Sequence, residues 1–150
     1  MRWLGLDLGS RTIGIAVSDE LGWTAQPLLT WRRVAGRPEQ DLEQLGRVAR
    51  SYGVGGILVG LPLEPSGEVG RQAREVLAFV ERLRAALGLP VETWDERLST
   101  KAVERVLIEA DLSRRRRRQV VDKLAAAYIL QGYLDAGCPR SGGEQGDGAR

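Results

Sequence analysis

The segment from Trp3 to Asp19, WLGLDLGSRTIGIAVSD, constrains the fold of this chain more than any other. Its pattern is typical of two short strands joined by a tight turn that contains glycine. Because side chains alternate along a strand, the leucines of the first strand share one face and Asp7 lies on the other, between glycines. In the second strand Ile13, Ile15 and Val17 share a face, opposite small residues. If the two strands pair with like faces on the same side, the face with the small residues leaves room for a ligand beside the Asp7 carboxylate.

The strand and helix patterns after this hairpin predict a mixed sheet. Three further strands are predicted over Thr24–Trp31, Ile57–Val59 and Pro90–Trp94. One helix begins at Pro38, and a second has apolar residues at helical spacing from Val69 to Leu87. A third helix is capped by Ser99, and a fourth is capped by Ser113 and runs to about Asp135. Pro27 fits its strand only at a sheet edge or a bulge. The order indicates an α/β fold with a five-stranded mixed sheet, three antiparallel strands then two parallel, flanked by helices.

The length and composition indicate one domain in a reducing compartment. A chain of 150 residues is typical of a single domain, which we expect over residues 1–137. Residues 138–150 are rich in glycine and nearly free of apolar residues, which predicts a disordered C-terminal tail. The single cysteine, Cys138, cannot form a disulfide within the chain. No apolar run is long enough for a membrane span and no signal-peptide pattern is visible, so we expect a cytoplasmic location without membrane contact.

Histidine is absent from the sequence, and this excludes several kinds of catalytic site. Without histidine there is no Ser-His-Asp or Cys-His nucleophile and no zinc held by imidazole, and one cysteine cannot build a thiolate cluster. Catalysis by this chain would depend on carboxylates, together with hard cations such as Mg²⁺ or Mn²⁺ that prefer oxygen ligands.

Carboxylates in three distant segments are candidates for such a site. Asp7 lies at the end of the first strand. In the segment DERLST, which follows the last predicted strand, either Asp95 or Glu96 should point toward the face that carries Asp7. Asp122 shares a helical face with small and apolar residues three, four and seven positions later, where an unpaired charge costs free energy. We therefore expect carboxylates from all three segments to meet.

Each of these carboxylates also has a purely structural interpretation. Asp7 would then accept hydrogen bonds from its own turn or pair with Arg11. The acids of DERLST would lie in an exposed connection between a strand and a helix. Asp122 would pair with Arg118, one helical turn earlier. Taken one at a time, the segments leave these alternatives open.

A run of five arginines precedes Asp122 and consists of Arg114, Arg115, Arg116, Arg117 and Arg118. Cations in the first turn of a helix oppose its dipole, so phosphate contact explains the run better than helix stability does. A solvated basic turn is the alternative, and Arg32, Arg33 and Arg37 form a second candidate basic patch. Three carboxylates with basic runs predict phosphodiester hydrolysis by two cations about 3.5–4 Å apart, which activate a water and stabilise the leaving oxygen.

Four blocks carry a resemblance to a known family. DLGSRTIGIAVSD, LVGLPL, DERLST and VVDKLAAAYILQGYL occur in this order between Leu4 and Leu134. In this set the chain resembles the YqgF family of bacterial proteins, which are described as pre-16S rRNA nucleases or Holliday-junction-resolvase-like proteins with an RNase H-like fold. One departure is the loop after GLPL, which often resembles NMDG in such proteins and is Glu64-Pro65-Ser66-Gly67 here.

The resemblance implies an RNase H-like sheet and a specific acidic trio. The trio is Asp7, Glu96 and Asp122, which would act as catalytic residues and hold Mg²⁺ or Mn²⁺, with Asp95 in reserve for Glu96. Arg11 and Arg97, in the same blocks, are implied as phosphate or structural partners.

The function expected from these features is that of a metal-dependent endonuclease acting on structured nucleic acid, first of all the 16S rRNA precursor during ribosome maturation. Resolution of branched DNA at Holliday junctions is one alternative, because phosphate contacts carry no information about the sugar. A non-catalytic nucleic-acid-binding factor in ribosome assembly or transcription is another. A sugar-kinase or actin-like ATPase would need a second domain and a second phosphate loop, which this chain lacks. The sequence does not separate a monomer from a homodimer.

Overall fold

The structure, a computed structural model, describes residues 1–96 and 114–137, and in the second range it describes side chains from residue 122 onward. Its elements are β1 (Trp3–Leu8), β2 (Thr12–Ser18), β3 (Ala25–Arg32), α1 (Pro38–Tyr52), β4 (Gly56–Leu61), α2 (Arg71–Leu87), β5 (Val91–Asp95) and α3 (Arg114–Asp135). The predicted helix after Ser99, the Ser113 cap and the predicted tail over residues 138–150 lie outside the described residues. None of the described helices is both long and apolar enough to cross a membrane.

The five strands form one mixed sheet in the order β3-β2-β1-β4-β5. β1, β2 and β3 pair antiparallel, whereas β4 pairs parallel with both β1 and β5. This confirms the predicted topology of three antiparallel strands followed by two parallel ones. β3 is an edge strand. The pairing register between β2 and β3 shifts between Ile15 and Ala16 of β2, opposite Pro27 of β3, as expected for proline, which has no backbone N–H.

One face of the sheet packs against α1 and α2 and holds the larger apolar core. Its buried residues from the strands are Leu4, Leu6, Leu8, Ile13, Ile15, Ile57, Val59 and Val91. The helices contribute Leu45, Val48, Ala49, Val76, Phe79, Val80 and Leu83. The alternation of apolar residues in β1 and β2 therefore does determine which face of the hairpin is buried in this core.

The opposite face packs against α3, and the small residues of the hairpin allow this packing. A Cβ atom added at Gly14 would collide with the backbone carbonyl of Asp122, and one at Gly5 would lie 2.9 Å from the Leu130 Cβ. Ala16 is fully buried in the same layer. The expectation that this face leaves open room for a ligand is therefore wrong, because α3 fills the space above Gly14 and Ala16.

The connection from β4 to α2 is longer than the sequence pattern suggested. The Gly67 N–H donates to the Glu64 carbonyl at 2.7 Å, and the Glu64 N–H donates to the Glu68 carbonyl at 3.0 Å. Gly67 has a φ of +92°, which favours glycine in this tight loop. Val69 consequently precedes α2 and is 47% exposed, although its spacing matched the helix.

Candidate active site

Three elements bring the candidate carboxylates to one region of the molecule. Asp7 lies near the carboxyl end of β1, and Glu96 directly follows β5. These ends meet at the same edge because β1, β4 and β5 run parallel. Asp122 belongs to α3, whose backbone at this residue rests on Gly14, the partner of Asp7 in the sheet. Residues far apart in the sequence thus converge on Asp7.

Glu96 and Asp7 are in direct contact. The carboxyl groups of Glu96 and Asp7 are joined by a hydrogen bond. Burial, together with the negative charges of Asp7 and Asp95, raises the pKa of Glu96 to about 8. Burial also raises the pKa of Asp7; the hydrogen bond from Glu96 lowers it and the charge of Asp122 raises it further. Two acids held this closely in a partly buried site cannot both carry a charge without cost.

Asp122 lies close enough to Asp7 for its charge to act on the Asp7 pKa. Its Oδ2 atom accepts a hydrogen bond of 2.6 Å from the Thr12 hydroxyl, which holds the carboxylate toward the start of β2. Among the described side chains, no group of three His, Cys, Asp or Glu residues stands ready around a common metal position. The arrangement is therefore a carboxyl pair with a third acid beside it.

The structure brings Glu96 to Asp7 and leaves Asp95 at the surface. Asp95 is the last residue of β5 and is exposed, whereas Glu96 is half-buried. The backbone N–H of Glu96 donates to the Leu61 carbonyl at 3.3 Å, which ties the residue to the end of β4. Alternation along β5 left this choice open, and the tertiary structure makes it.

Gly60 allows Glu96 to reach Asp7, although β4 separates β5 from β1. Val59 pairs with Leu6, so Gly60 lies beside Asp7 in the sheet. A Cβ atom at Gly60 would collide with the Glu96 carboxylate and would lie 2.7 Å from the Ile129 Cδ1. The missing side chain thus leaves a passage across β4 that the Glu96 side chain occupies.

A cleft of about 1010 Å³ adjoins the acidic residues on the β3 side of the sheet. Asp122 forms part of its wall, and its cations are Arg11, Arg32 and Lys123. Arg11, which the resemblance implied as a phosphate or structural partner, lines the same cleft as Asp122. Arg97 lies outside the described residues, as do the side chains of Arg114 to Arg118.

A family model described as "RuvX: Holliday junction resolvase" matches residues 1–136. The chain belongs to the RuvX/YqgF family. The match covers all the elements described above, and it confirms the resemblance seen in the four sequence blocks.

Curated relatives match this RuvX/YqgF chain over nearly its whole length. A protein of Symbiobacterium thermophilum is 59% identical over 140 residues, which cover 93% of this chain and 96% of the relative. A protein of Desulforamulus reducens is 53% identical over 137 residues, which cover 91% of this chain and 98% of the relative. Both carry the name "Putative pre-16S rRNA nuclease".

Solved structures show the same fold in resolvases. Thermus thermophilus RuvC in complex with a Holliday junction substrate aligns with a TM-score of 0.57 at 18% identity, covering 92% of this chain and 96% of that one. A Fowlpox virus resolvase with substrate Holliday junction DNA aligns with a TM-score of 0.54 at 12% identity, covering 91% and 98%. The RNase H-like architecture is thereby confirmed.

A buried ion pair next to the site was missed by the sequence reasoning. Asp41, at the start of α1, is 1% exposed and accepts hydrogen bonds from Trp31 Nε1 at 2.9 Å and Arg33 Nε at 3.0 Å. Arg33 also donates to the Gly9 carbonyl at 2.8 Å, so the pair fixes the turn that follows Asp7. The sequence did contain a signal for this ion pair. Asp41 lies four residues before Leu45, and this spacing places it on the apolar face of α1.

Proposed function

We propose that this RuvX/YqgF protein is a metal-dependent endonuclease that hydrolyses phosphodiester bonds in the 16S rRNA precursor. The observation that supports this most is the contact between the carboxyl groups of Asp7 and Glu96, which is made over Gly60 and beside Asp122. Holding these two acids in contact costs free energy when no cation is bound, and an ion pair with a basic residue does not explain the arrangement. In this proposal Asp7, Glu96 and Asp122 are the catalytic residues of a domain over residues 1–137.

The donor set fits a hard divalent cation. Carboxylate oxygens suit Mg²⁺ and Mn²⁺, and the chain contains no histidine that would favour zinc. Asp7 and Glu96 would hold the cation, and Asp122 would be the third ligand. The bound cation would polarise the phosphate and make a water nucleophilic at neutral pH. Without a cation, the raised pKa of Glu96 favours the neutral form of this side chain beside Asp7.

Neighbouring residues keep the three acids in place. Thr12 orients Asp122 through its hydroxyl, and Gly60 leaves the passage that Glu96 needs. Arg33, itself fixed by Asp41, holds the Gly9 carbonyl two residues beyond Asp7. A site assembled from β1, β5 and α3 thus keeps its geometry through contacts that do not involve the substrate.

The proposed substrate rests on the names of relatives at 53–59% identity, which describe a pre-16S rRNA nuclease. Acting on this precursor would place the protein in the cytoplasm with ribosome precursors, as a monomer or a homodimer. Holliday junction DNA is the second candidate, because the family description names it.

Cleavage assays with both substrates test this proposal. The wild-type protein is incubated with a 16S rRNA precursor fragment or a four-way DNA junction, each with Mn²⁺, with Mg²⁺ or with a chelator. We expect cation-dependent cleavage of the RNA. Cleavage of the junction alone would favour a resolvase, and binding without cleavage by any cation would indicate a non-catalytic binding factor.

Replacing Gly60 with alanine should reduce Mn²⁺ affinity by tenfold or more, because the added methyl group displaces Glu96 from Asp7. The contact with Ile129 should also cost about 1–3 kcal/mol of stability through overpacking. Calorimetric Mn²⁺ titration and thermal unfolding measure the two effects separately.

A matched control for this substitution is Gly5→Ala. Its Cβ atom would press on Leu130 in the same helix layer without touching Glu96. We expect it to lose stability and to keep Mn²⁺ affinity. Equal losses of affinity in the two variants would show that Gly60 acts only through helix packing.

A further inference from the structure

The cleft beside the acidic residues extends along edge strand β3. Its lining includes Leu29 and Thr30 on β3, and Thr12 and Asp122 on the side of the acids. Thr30 pairs with Gly14, which pairs with Asp7, so these residues form one row across three strands. With strands about 4.8 Å apart, the row spans about 10 Å from Asp7 to the cleft. A nucleic-acid strand in the cleft would therefore lie within a few nucleotides of the acids.

The cations of this cleft form no ion pair with a described carboxylate. Arg2, Arg33, Arg47, Arg71 and Arg84 form the ion pairs found among the described residues. Arg11 and Arg32 are exposed, Lys123 is half-buried, and none of the three belongs to these pairs. Three cations that line one cleft and form no ion pair with a described carboxylate match the charge of a polyanion.

We propose that this cleft holds the sugar–phosphate backbone of the substrate strand, with Arg11, Arg32 and Lys123 as its phosphate contacts. The inference rests on the proposed nuclease function and adds the direction from which the strand approaches. Half-buried Leu28 and Leu29 also line the cleft beside its cations. Such contacts position the substrate without reading its sequence.

Arg32 and Arg33 are adjacent in the sequence but differ in their contacts, which makes Arg32 the better residue for a test of the cleft. The Arg33 guanidinium is bound to Asp41 and to the Gly9 carbonyl, and it lies 5.4 Å from the centre of the Phe79 ring. Arg32 points into the cleft and makes no ion pair with a described carboxylate. Loss of Arg33 should therefore lower stability, whereas loss of Arg32 should weaken only binding.

The test measures binding of metal-free protein to a 16S rRNA precursor fragment and to a four-way DNA junction between 50 and 200 mM KCl. Arg32→Gln and Lys123→Gln are compared with Arg50→Gln, which removes an exposed cation from α1 on the other side of the sheet. Each lost phosphate contact should lower the slope of log K against log salt by about 0.7 for a single strand and about 0.9 for a duplex. The double variant should lose both contributions, and Arg50→Gln should bind like wild type.

Comparison of the RNA fragment with the DNA junction identifies which backbone binds, because the salt slope should fall in the variants only for the nucleic acid that occupies the cleft. A slope that is unchanged in the double variant with both nucleic acids overturns the proposal, even if wild type cleaves RNA. A reduced slope supports the cleft even if no cleavage is detected, in which case only the nuclease function fails. Thermal unfolding of each variant confirms that the fold is intact.

Discussion

Asp7→Asn will lower the rate of metal-dependent cleavage by about 1000-fold or more while the protein stays folded. Carboxylate-bound cations supply several kcal/mol of transition-state stabilisation, and each 1.36 kcal/mol corresponds to a factor of ten. Asparagine keeps the shape of the side chain but has no charge with which to hold the cation. Because burial raises the pKa of Asp7, a neutral side chain should be tolerated at this position without loss of stability.

Single-turnover cleavage of the rRNA precursor fragment in Mn²⁺, with thermal unfolding alongside, measures this effect. Glu96→Gln should lose activity to a similar extent. Asp95→Asn is the matched control, because it removes a neighbouring charge that is exposed. We expect it to stay within tenfold of wild type. A severe loss in Asp95→Asn with an active Glu96→Gln would reverse the assignment of the two acids.

The second large effect is a pH-dependent loss of stability in the metal-free protein. The pKa of Glu96 rises from 4.5 to about 8 on folding, so the folded chain binds this proton more tightly than the unfolded chain does. The resulting stability is complete below the unfolded pKa and is lost as pH rises through about 8. The pKa of Asp7 is raised in the same direction. The free energy of unfolding should therefore fall by about a few kcal/mol between pH 5 and pH 9.

Mn²⁺ should reverse this loss at pH 8 to 9, because a cation held by these carboxylates would offset their mutual repulsion and stabilise the folded state by mass action. Denaturant unfolding across pH, with Mn²⁺ or with a chelator, gives the measurement. In Glu96→Gln the amide can still donate to Asp7 but does not titrate, so its profile should be flatter and nearly independent of Mn²⁺. Parallel profiles for wild type and Glu96→Gln would show that the pair does not control stability.

Much of the fold could be predicted from local sequence patterns. Alternation in β1 and β2 determined which face enters the large core, because side chains on a strand have a period of two. Pro27 indicated the edge position of β3, since proline cannot donate to a ladder. Gly53 and Gly88 end α1 and α2 in the left-handed conformation, which glycine adopts without strain. These features depend on neighbours a few residues away.

The sequence by itself also placed Asp7 on the small-residue face and indicated that acids from distant segments would meet there. Only the tertiary structure decided that Glu96 rather than Asp95 contacts Asp7, because that contact depends on a passage over Gly60 in a strand between them. It also decided that α3 covers Gly14 and that Arg32 is exposed while Arg33 is bound to Asp41. These outcomes are set by the packing of one element on another, whereas alternation within a strand or helix determines only which face a residue occupies.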